Sequence, residues 1–355
     1  MGTTENSLSK YPAFSRLLSL AVAKGASDVH IVVGSHPLLR IDGRLLPVTS
    51  EPLLSLEKVS QLLSEIASKE VMEKVKNKVE VDFSFQFENS RFRTNVYLQK
   101  DLPAASLRII PSEIKTYTEL GLPPIVEFFT SQSQGLVIIT GPTGHGKSTT
   151  LASMVQKINI ERREHIITIE DPIEYLFKSE KSLVSQREIG NDTQSFPAAL
   201  RSALREDPNV ILVGEMRDLE TIESALTIAE TGHLVLATLH TYSAAQTIDR
   251  IIDIFPPYQQ AQIKQQLASV LSAVFSQRLV PNIKGGRVAA REVLINTPAV
   301  SNLIRENKIT QIPTVIETNG KIGMISMDKA LKNLQKEGLI SKENMDIYST
   351  DAILD

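Results

Sequence analysis

The sequence predicts an α/β protein in which an α+β N-terminal region precedes a mainly parallel, helix-covered sheet. Three observations carry that prediction. Between Val79 and Ile109, three consecutive stretches alternate apolar and polar residues with period two, the pattern of strands with one wet face. From about Leu120 the apolar residues gather instead in short runs between helical segments, as buried parallel strands require. Pro111 and the polar stretch to Thr118 separate the two textures. A chain of 355 residues is long enough for two domains at roughly 150 residues each. The expected division is residues 1–112, a linker at 113–118, and residues 119–355.

The elements follow in order. Residues 11–24 place Phe14, Leu17, Leu18, Ala21 and Val22 on one helical face, and Gly25 offers a stop. Short strands are expected at 29–33 and Leu38–Ile41, with Asp42-Gly43 turning into a strand at 44–48. Residues 55–78, rich in Leu, Glu and Lys, read as one helix. Then comes the meander. Val79, Val81, Phe83, Phe85 and Phe87 share a face, as do Phe92, Thr94, Val96 and Leu98, and after a turn at Lys100-Asp101, Ala105, Leu107 and Ile109. A turn centred there sets Arg93 directly opposite Arg108 on the wet face. Like charges facing across a sheet are destabilising, so an anion between the two is expected; the alternative is two solvated arginines splayed apart. Beyond the linker, strands are expected at Gly135–Thr140, 165–169, Val210–Val213 and Leu234–Leu239. Past Pro256-Pro257 the chain reads as mostly helical, with 259–275 the longest segment.

Composition excludes several classes. With 42% hydrophobic and 22% charged residues the chain is not disordered, and a net charge of -3 shows no basic excess of the kind a dedicated nucleic-acid binder carries. No apolar run approaches the roughly 20 residues that span a bilayer, and the N-terminus has neither a secretory nor a myristoylation pattern. The absence of cysteine removes disulfides and thiolate metal sites and fits a reducing cytoplasm.

The chemistry sits in four motifs. Gly141, Pro142, Thr143, Gly144, His145, Gly146, Lys147 and Ser148, followed by Thr149, match G-x-x-x-x-G-K-[ST] between an apolar strand and a helix-like run. Such glycines let backbone N–H groups converge on phosphate oxygens. Lys147 neutralises their charge, and the Ser148 hydroxyl is placed for Mg²⁺. His145 reads as a spacer. Val210–Val213 ends in Gly214-Glu215, an atypical Walker B with glycine at the usual aspartate position. Glu215 is suited to orienting or deprotonating an attacking water, or is a surface acid on a strand-end loop. Glu170, Asp171 and Glu174 crowd three carboxylates within five residues, which a magnesium ion would relieve and a solvated loop would also accommodate. His233 and His240 bracket one apolar strand. His240 emerges at its C-terminal end, where α/β ligands bind, and is expected near the γ-phosphate.

On these residues the chain resembles the secretion-superfamily ATPases, and more narrowly the type IV pilus retraction ATPases of the twitching-motility PilT family. GPTGHGKSTT, ITIEDPIEY, VILVGEMRD and TGHLVLATLHT look like that family's Walker A, Asp box, Walker B and His box. SDVHI, RFRTNVYLQ, AVSNLIRENK and GMISMDKALKNLQKEGLIS support the likeness, which runs from about residue 11 to 345. The resemblance implies a PAS-like N-terminal domain joined to a RecA-like P-loop ATPase domain with a helical C-terminal part. It implies ATP and Mg²⁺ as cofactors and a homohexameric ring under an inner-membrane platform protein. Other pilus motor ATPases are further partners, and nucleic acid and membrane insertion are not expected. The implied location is cytoplasmic, peripheral at the inner face of the cytoplasmic membrane. The family's catalytic glutamates fall on Glu215 and Glu174, its box histidines on His233 and His240, and matching strand arginines on Arg93 and Arg108. Two positions of the AVSNLIRENK helix depart from the family pattern, Ser301 for an arginine and Asn307 for a glycine, and His145 replaces a common serine. The competing readings are an accessory retraction ATPase, an extension or secretion ATPase, a nucleotide-switched scaffold with little hydrolysis, and a RecA-like DNA motor. Extension and secretion relatives usually carry a longer N-terminal region and a four-cysteine zinc insertion.

Overall fold

A computed structural model describes residues 11–41, 43–110 and 113–349. Chain contacts divide it into two compact units, Met1–Glu113 and Ile114–Asp355. In the first, α1 (Ser15–Ala23) leads into β1 (Asp28–Val32), β2 (Leu38–Ile41) and β3 (Arg44–Pro47). Asp42, expected in the turn between the last two, lies outside the described residues. The single helix expected at 55–78 is two, α2 (Leu56–Ile66) and α3 (Lys69–Lys76). Ser68 causes the break: its extended backbone and its side chain, which accepts from Val71 N–H, start a new helix.

The meander follows as β4 (Val81–Phe87), β5 (Ser90–Gln99) and β6 (Leu102–Ile110). The six strands form an antiparallel sheet in the order β3-β2-β1-β6-β5-β4. Its apolar face, including Val29, Ile31, Phe92, Val96, Ala105 and Leu107, buries against Leu17 and Leu18 of α1 and Val59, Leu62 and Leu63 of α2. The Lys100-Asp101 turn has both residues at positive φ, 52° and 60°, and Arg93 does pair with Arg108. Across the wet face the register lines up Arg40, Asp28, Arg108 and Arg93 in one row.

The second unit begins before its first helix. Tyr117 and Leu120, within and just past the expected linker, already pack against the core. Helix α4 (Ile125–Ser131) precedes β7 (Gly135–Thr140), and α5 (Lys147–Glu161) follows it. Next come β8 (His165–Glu170), β9 (Leu183–Glu188), α6 (Phe196–Ala203), β10 (Val210–Val213), α7 (Leu219–Glu230), β11 (Leu234–Leu239) and α8 (Ala244–Asp253). The expected long helix is cut short: α9 (Pro257–Val270) gives way to β12 (Leu271–Pro281), which pairs with β13 (Arg287–Ile295). The C-terminal part is helical, with α10 (Pro298–Arg305), α11 (Ile312–Thr318), α12 (Met327–Lys336) and α13 (Lys342–Ile347).

The seven strands run β13-β12-β7-β11-β10-β8-β9, all parallel except β13. One face is covered by α6 to α11 and the other by α4 and α5, each through its own apolar cluster. The helix starting at Pro298 tolerates both departures. Asn307 has φ 58°, a left-handed conformation that asparagine adopts more readily than most residues. Ser301 donates to Ala268 O at 3.0 Å and lies 3.0 Å from Asn296 Oδ1.

Candidate active site

Parallel strands share one direction, so the residues leaving β7, β8, β10 and β11 emerge along one edge of the sheet, where open α/β folds bind ligands. At the end of β7 the buried Thr140 hydroxyl donates to Thr241 O, which ties the loop root to the segment after β11. Gly141 follows with φ 145°, and a Cβ there would lie 2.3 Å from Gln277 O, so only glycine lets the loop pass β12. The loop then delivers Lys147, the first residue of α5.

Lys147 is buried, and its Nζ donates to Gly141 O at 2.7 Å and Pro142 O at 3.0 Å. Burial holds its pKa below the ordinary lysine value, against the opposing charges of Glu215 and Glu174. The ammonium is therefore folded back over carbonyls of its own loop, poised to exchange them for a stronger anionic acceptor.

Glu215 leaves β10 in a turn held to β11 by two bonds. Met216 N–H donates to Thr238 O at 3.0 Å, and the Thr238 hydroxyl donates to Gly214 O. Gly214 suits a tight passage: an added Cβ would sit 3.2 Å from Glu170 Cα and from Ile169 O, so a side chain at the usual aspartate position would crowd the end of β8. Glu215 Oε1 accepts from Arg217 Nε at 2.7 Å and His240 Nε2 at 3.1 Å. Burial would raise its pKa, but Arg217 and His240 outweigh that and hold the carboxyl below the ordinary range. The other ring nitrogen of His240, Nδ1, lies 3.4 Å from Lys147 Nζ and 3.3 Å from Thr143 Oγ1. A neutral imidazole satisfies both sides, accepting at Nδ1 and donating at Nε2. Lys147, His240 and Glu215 thus form one hydrogen-bonded chain across three strand ends.

The acidic loop after β8 divides its carboxylates. Glu170 is buried, and burial pushes its pKa up to about 7. Its Oε1 accepts from the Thr168 hydroxyl at 2.7 Å and from Gln186 Nε2 at 3.3 Å, and its Oε2 from Glu174 N–H at 3.2 Å. These three bonds hold Glu170 into the turn that carries Glu174. Asp171 and Glu174 are exposed. Tyr175 binds this loop to α5 through a 2.9 Å contact between its hydroxyl and that of Thr149.

His233 is not brought to this cluster within the chain. It sits at the opposite end of β11, seven residues before His240 or about 23 Å away, with Nδ1 3.1 Å from Ile228 O. Arg93 and Arg108 belong to the first unit, where they line a recess with Asp28, Asp82, Asn95 and Ser106. A carboxylate of the chain lies not between the two but on the other side of Arg108, between it and Arg40: Asp28 Oδ1 accepts from Arg108 Nε at 3.0 Å, and Asp28 Oδ2 lies 3.6 Å from Arg40 Nε. Arg108 therefore already has an anionic partner within the chain, which eases its opposition to Arg93.

Several site residues escaped sequence reasoning. Arg217 was visible as a neighbour of Glu215 but had no partner in the pattern. Gln277 and Arg291 lie on the two strands read as helix or left unassigned. Gln277 Oε1 accepts from Thr150 Oγ1 and from Arg291 Nε, both at 2.8 Å. Arg291, which burial pulls down to about 10 and leaves charged at neutral pH, also holds Leu120 O and Gly121 O at 3.0 Å.

Comparison with known proteins gives a consistent result. Residues 4–345 match the family model described as type II/IV secretion system protein. The chain is 48% identical over 331 residues to a type IV pilus retraction ATPase, PilT, of Pseudomonas aeruginosa, covering 93% of this chain and 96% of that one. It is 48% identical over 309 residues to a twitching motility protein of Neisseria gonorrhoeae, covering 86% and 82% respectively. A crystal structure of the pilus retraction motor PilT with bound ADP superposes with a TM-score of 0.88 at 48% identity, covering 96% of this chain and 98% of that one. The two sheets, the phosphate loop and these matches together place the chain in the type II/IV secretion system protein family.

Proposed function

We propose that the protein is an ATP-hydrolysing motor that withdraws type IV pilus fibres, working as a homohexamer beneath an inner-membrane platform protein. The observation that carries the reading is the Lys147–His240–Glu215 chain, which joins a phosphate-binding loop to an ionised carboxylate at the same strand edge. The loop's backbone N–H groups and the dipole of α5 receive the phosphates of ATP, and Lys147 leaves Gly141 O and Pro142 O to bind them. His240, placed between Lys147 and Glu215, senses whether the phosphate side is filled. Glu215 orients and deprotonates the attacking water, with Glu174 as the second acid. Arg93 and Arg108 stabilise charge on the transferred phosphoryl group, of their own or a neighbouring subunit.

Magnesium fits this site in one way. Among the described residues no cluster of three metal-ligating side chains exists, and Glu170 is committed to the protein. A cation bound chiefly to nucleotide oxygens and water, as Mg²⁺ commonly is, needs only the Ser148 hydroxyl and a carboxylate such as Asp171 nearby. When bound it supplies charge neutralisation at the phosphates. The first unit is the PAS-like domain of such motors and the second the RecA-like one. No helix of the described residues is long and apolar enough to cross a membrane. The reading places the motor in the cytoplasm, peripheral to the inner membrane face through its platform partner. Deleting the gene tests it: fibres should still be made but not withdrawn, whereas a strain without surface fibres would point to an extension motor.

A further inference from the structure

His145 is a spacer by motif, yet the structure ties it to the neighbouring strand. β12 makes its last pairing with β7 at Ser276, opposite Thr140, while its other edge stays paired with β13 as far as Pro281. Backbone groups on the β7 side beyond Ser276 therefore lack a strand partner, and buried ones need another. The phosphate loop supplies it. Gln277 Nε2 donates to His145 O at 2.6 Å, Leu279 N–H donates to His145 Nδ1 at 3.0 Å, and Arg287 Nη1 donates to Gly144 O at 3.3 Å.

Nδ1 accepts a hydrogen bond only when it carries no proton, so the contact selects the neutral imidazole. The surroundings agree: burial first, then the charges of Arg287 on β13, Lys147 on α5 and Arg278 on β12, hold the ring below the ordinary histidine value. We propose that His145 is a positioning residue that pins the middle of the phosphate loop to the free edge of β12 through the Leu279 N–H, and so keeps the loop in its nucleotide-binding shape. This rests on the reading of residues 141–149 as the nucleotide loop. Loop amides hold phosphate in both the ground and the transition state, so a loosened loop loses affinity more than turnover.

The test is steady-state ATP hydrolysis by the full chain with His145→Ala, His145→Asn and His145→Gln. An Asn side chain places its acceptor the same number of bonds from the backbone as Nδ1; Gln places it one bond further. The Ala and Gln variants should raise KM about three- to tenfold, or about 0.7–1.4 kcal/mol, with kcat changed much less, and Asn should restore most of the loss. As the pH falls below the ordinary histidine range, the wild-type KM should rise relative to that of the Asn variant. An Ala variant with wild-type KM overturns the proposal, as does an Asn variant no better than Ala. A wild-type chain that neither binds nor hydrolyses ATP would instead overturn the nucleotide-loop reading beneath it.

Discussion

Glu215→Gln isolates the proposed base from the proposed binding loop. The amide keeps the size of the carboxylate and one oxygen for Arg217 and His240, which now sit 2.7 and 3.1 Å from Oε1. What disappears is the negative charge and the proton acceptor. Loss of a general base costs about 10²- to 10⁴-fold in rate, or about 2.7–5.5 kcal/mol in the barrier. Binding should suffer far less, because the contacts with phosphate come from the loop backbone and Lys147. Glu215 does help keep Lys147 charged against burial, but Glu174 remains to do the same. The expected result is ATP affinity within a few-fold of wild type and phosphate release down at least a hundredfold. Equilibrium binding of a fluorescent ATP analogue beside single-turnover phosphate release reads both. The carboxyl is held below its ordinary range, so wild-type hydrolysis should keep this base at neutral pH and lose it only as pH falls through that depressed value. If the variant loses ATP affinity while bound ATP is still cleaved at the wild-type rate, Glu215 has been given the wrong role.

Two further substitutions probe other parts of the account. Gly214→Asp, which restores the usual Walker B residue, should destabilise the fold by about 1–3 kcal/mol because the new Cβ meets backbone of Ile169 and Glu170 at 3.2 Å; a thermal melt unchanged from wild type would contradict that. Arg93→Ala and Arg108→Ala should each lower turnover about ten- to a thousandfold with folding and assembly intact, and wild-type hydrolysis in both assembled variants would remove them from the mechanism.

Four of the six parallel strands of the second unit were legible almost to the residue, because runs such as Gly135–Thr140, Val210–Val213 and Leu234–Leu239 are apolar and bounded by turn and helix signals; β9, whose Leu183–Glu188 is largely polar and only part-buried, was not. The Arg93–Arg108 register was legible from turn position and alternation alone. The carboxylate that pairs with Arg108 was not: Asp28 arrives from β1, eighty residues earlier in sequence. β12 was missed because it is buried on both faces and carries Ser276, Gln277 and Arg278 inside, so neither period two nor polarity marks it. The cost of that miss was functional. The strand that buttresses the phosphate loop, and with it Gln277 and the contact to His145, only becomes visible once the chain is folded. The four motifs located the reacting groups; the long-range hydrogen bonds that orient them are properties of the topology.

The most direct test of the central claim is phosphate release measured together with solution mass on the purified chain and its Lys147→Ala variant. The account predicts a wild-type hexamer that hydrolyses ATP and a variant whose turnover is lost, since the loop's one buried ammonium among these residues is gone. An assembled wild-type protein without ATPase activity, or a Lys147→Ala variant that hydrolyses ATP at the wild-type rate, would contradict it.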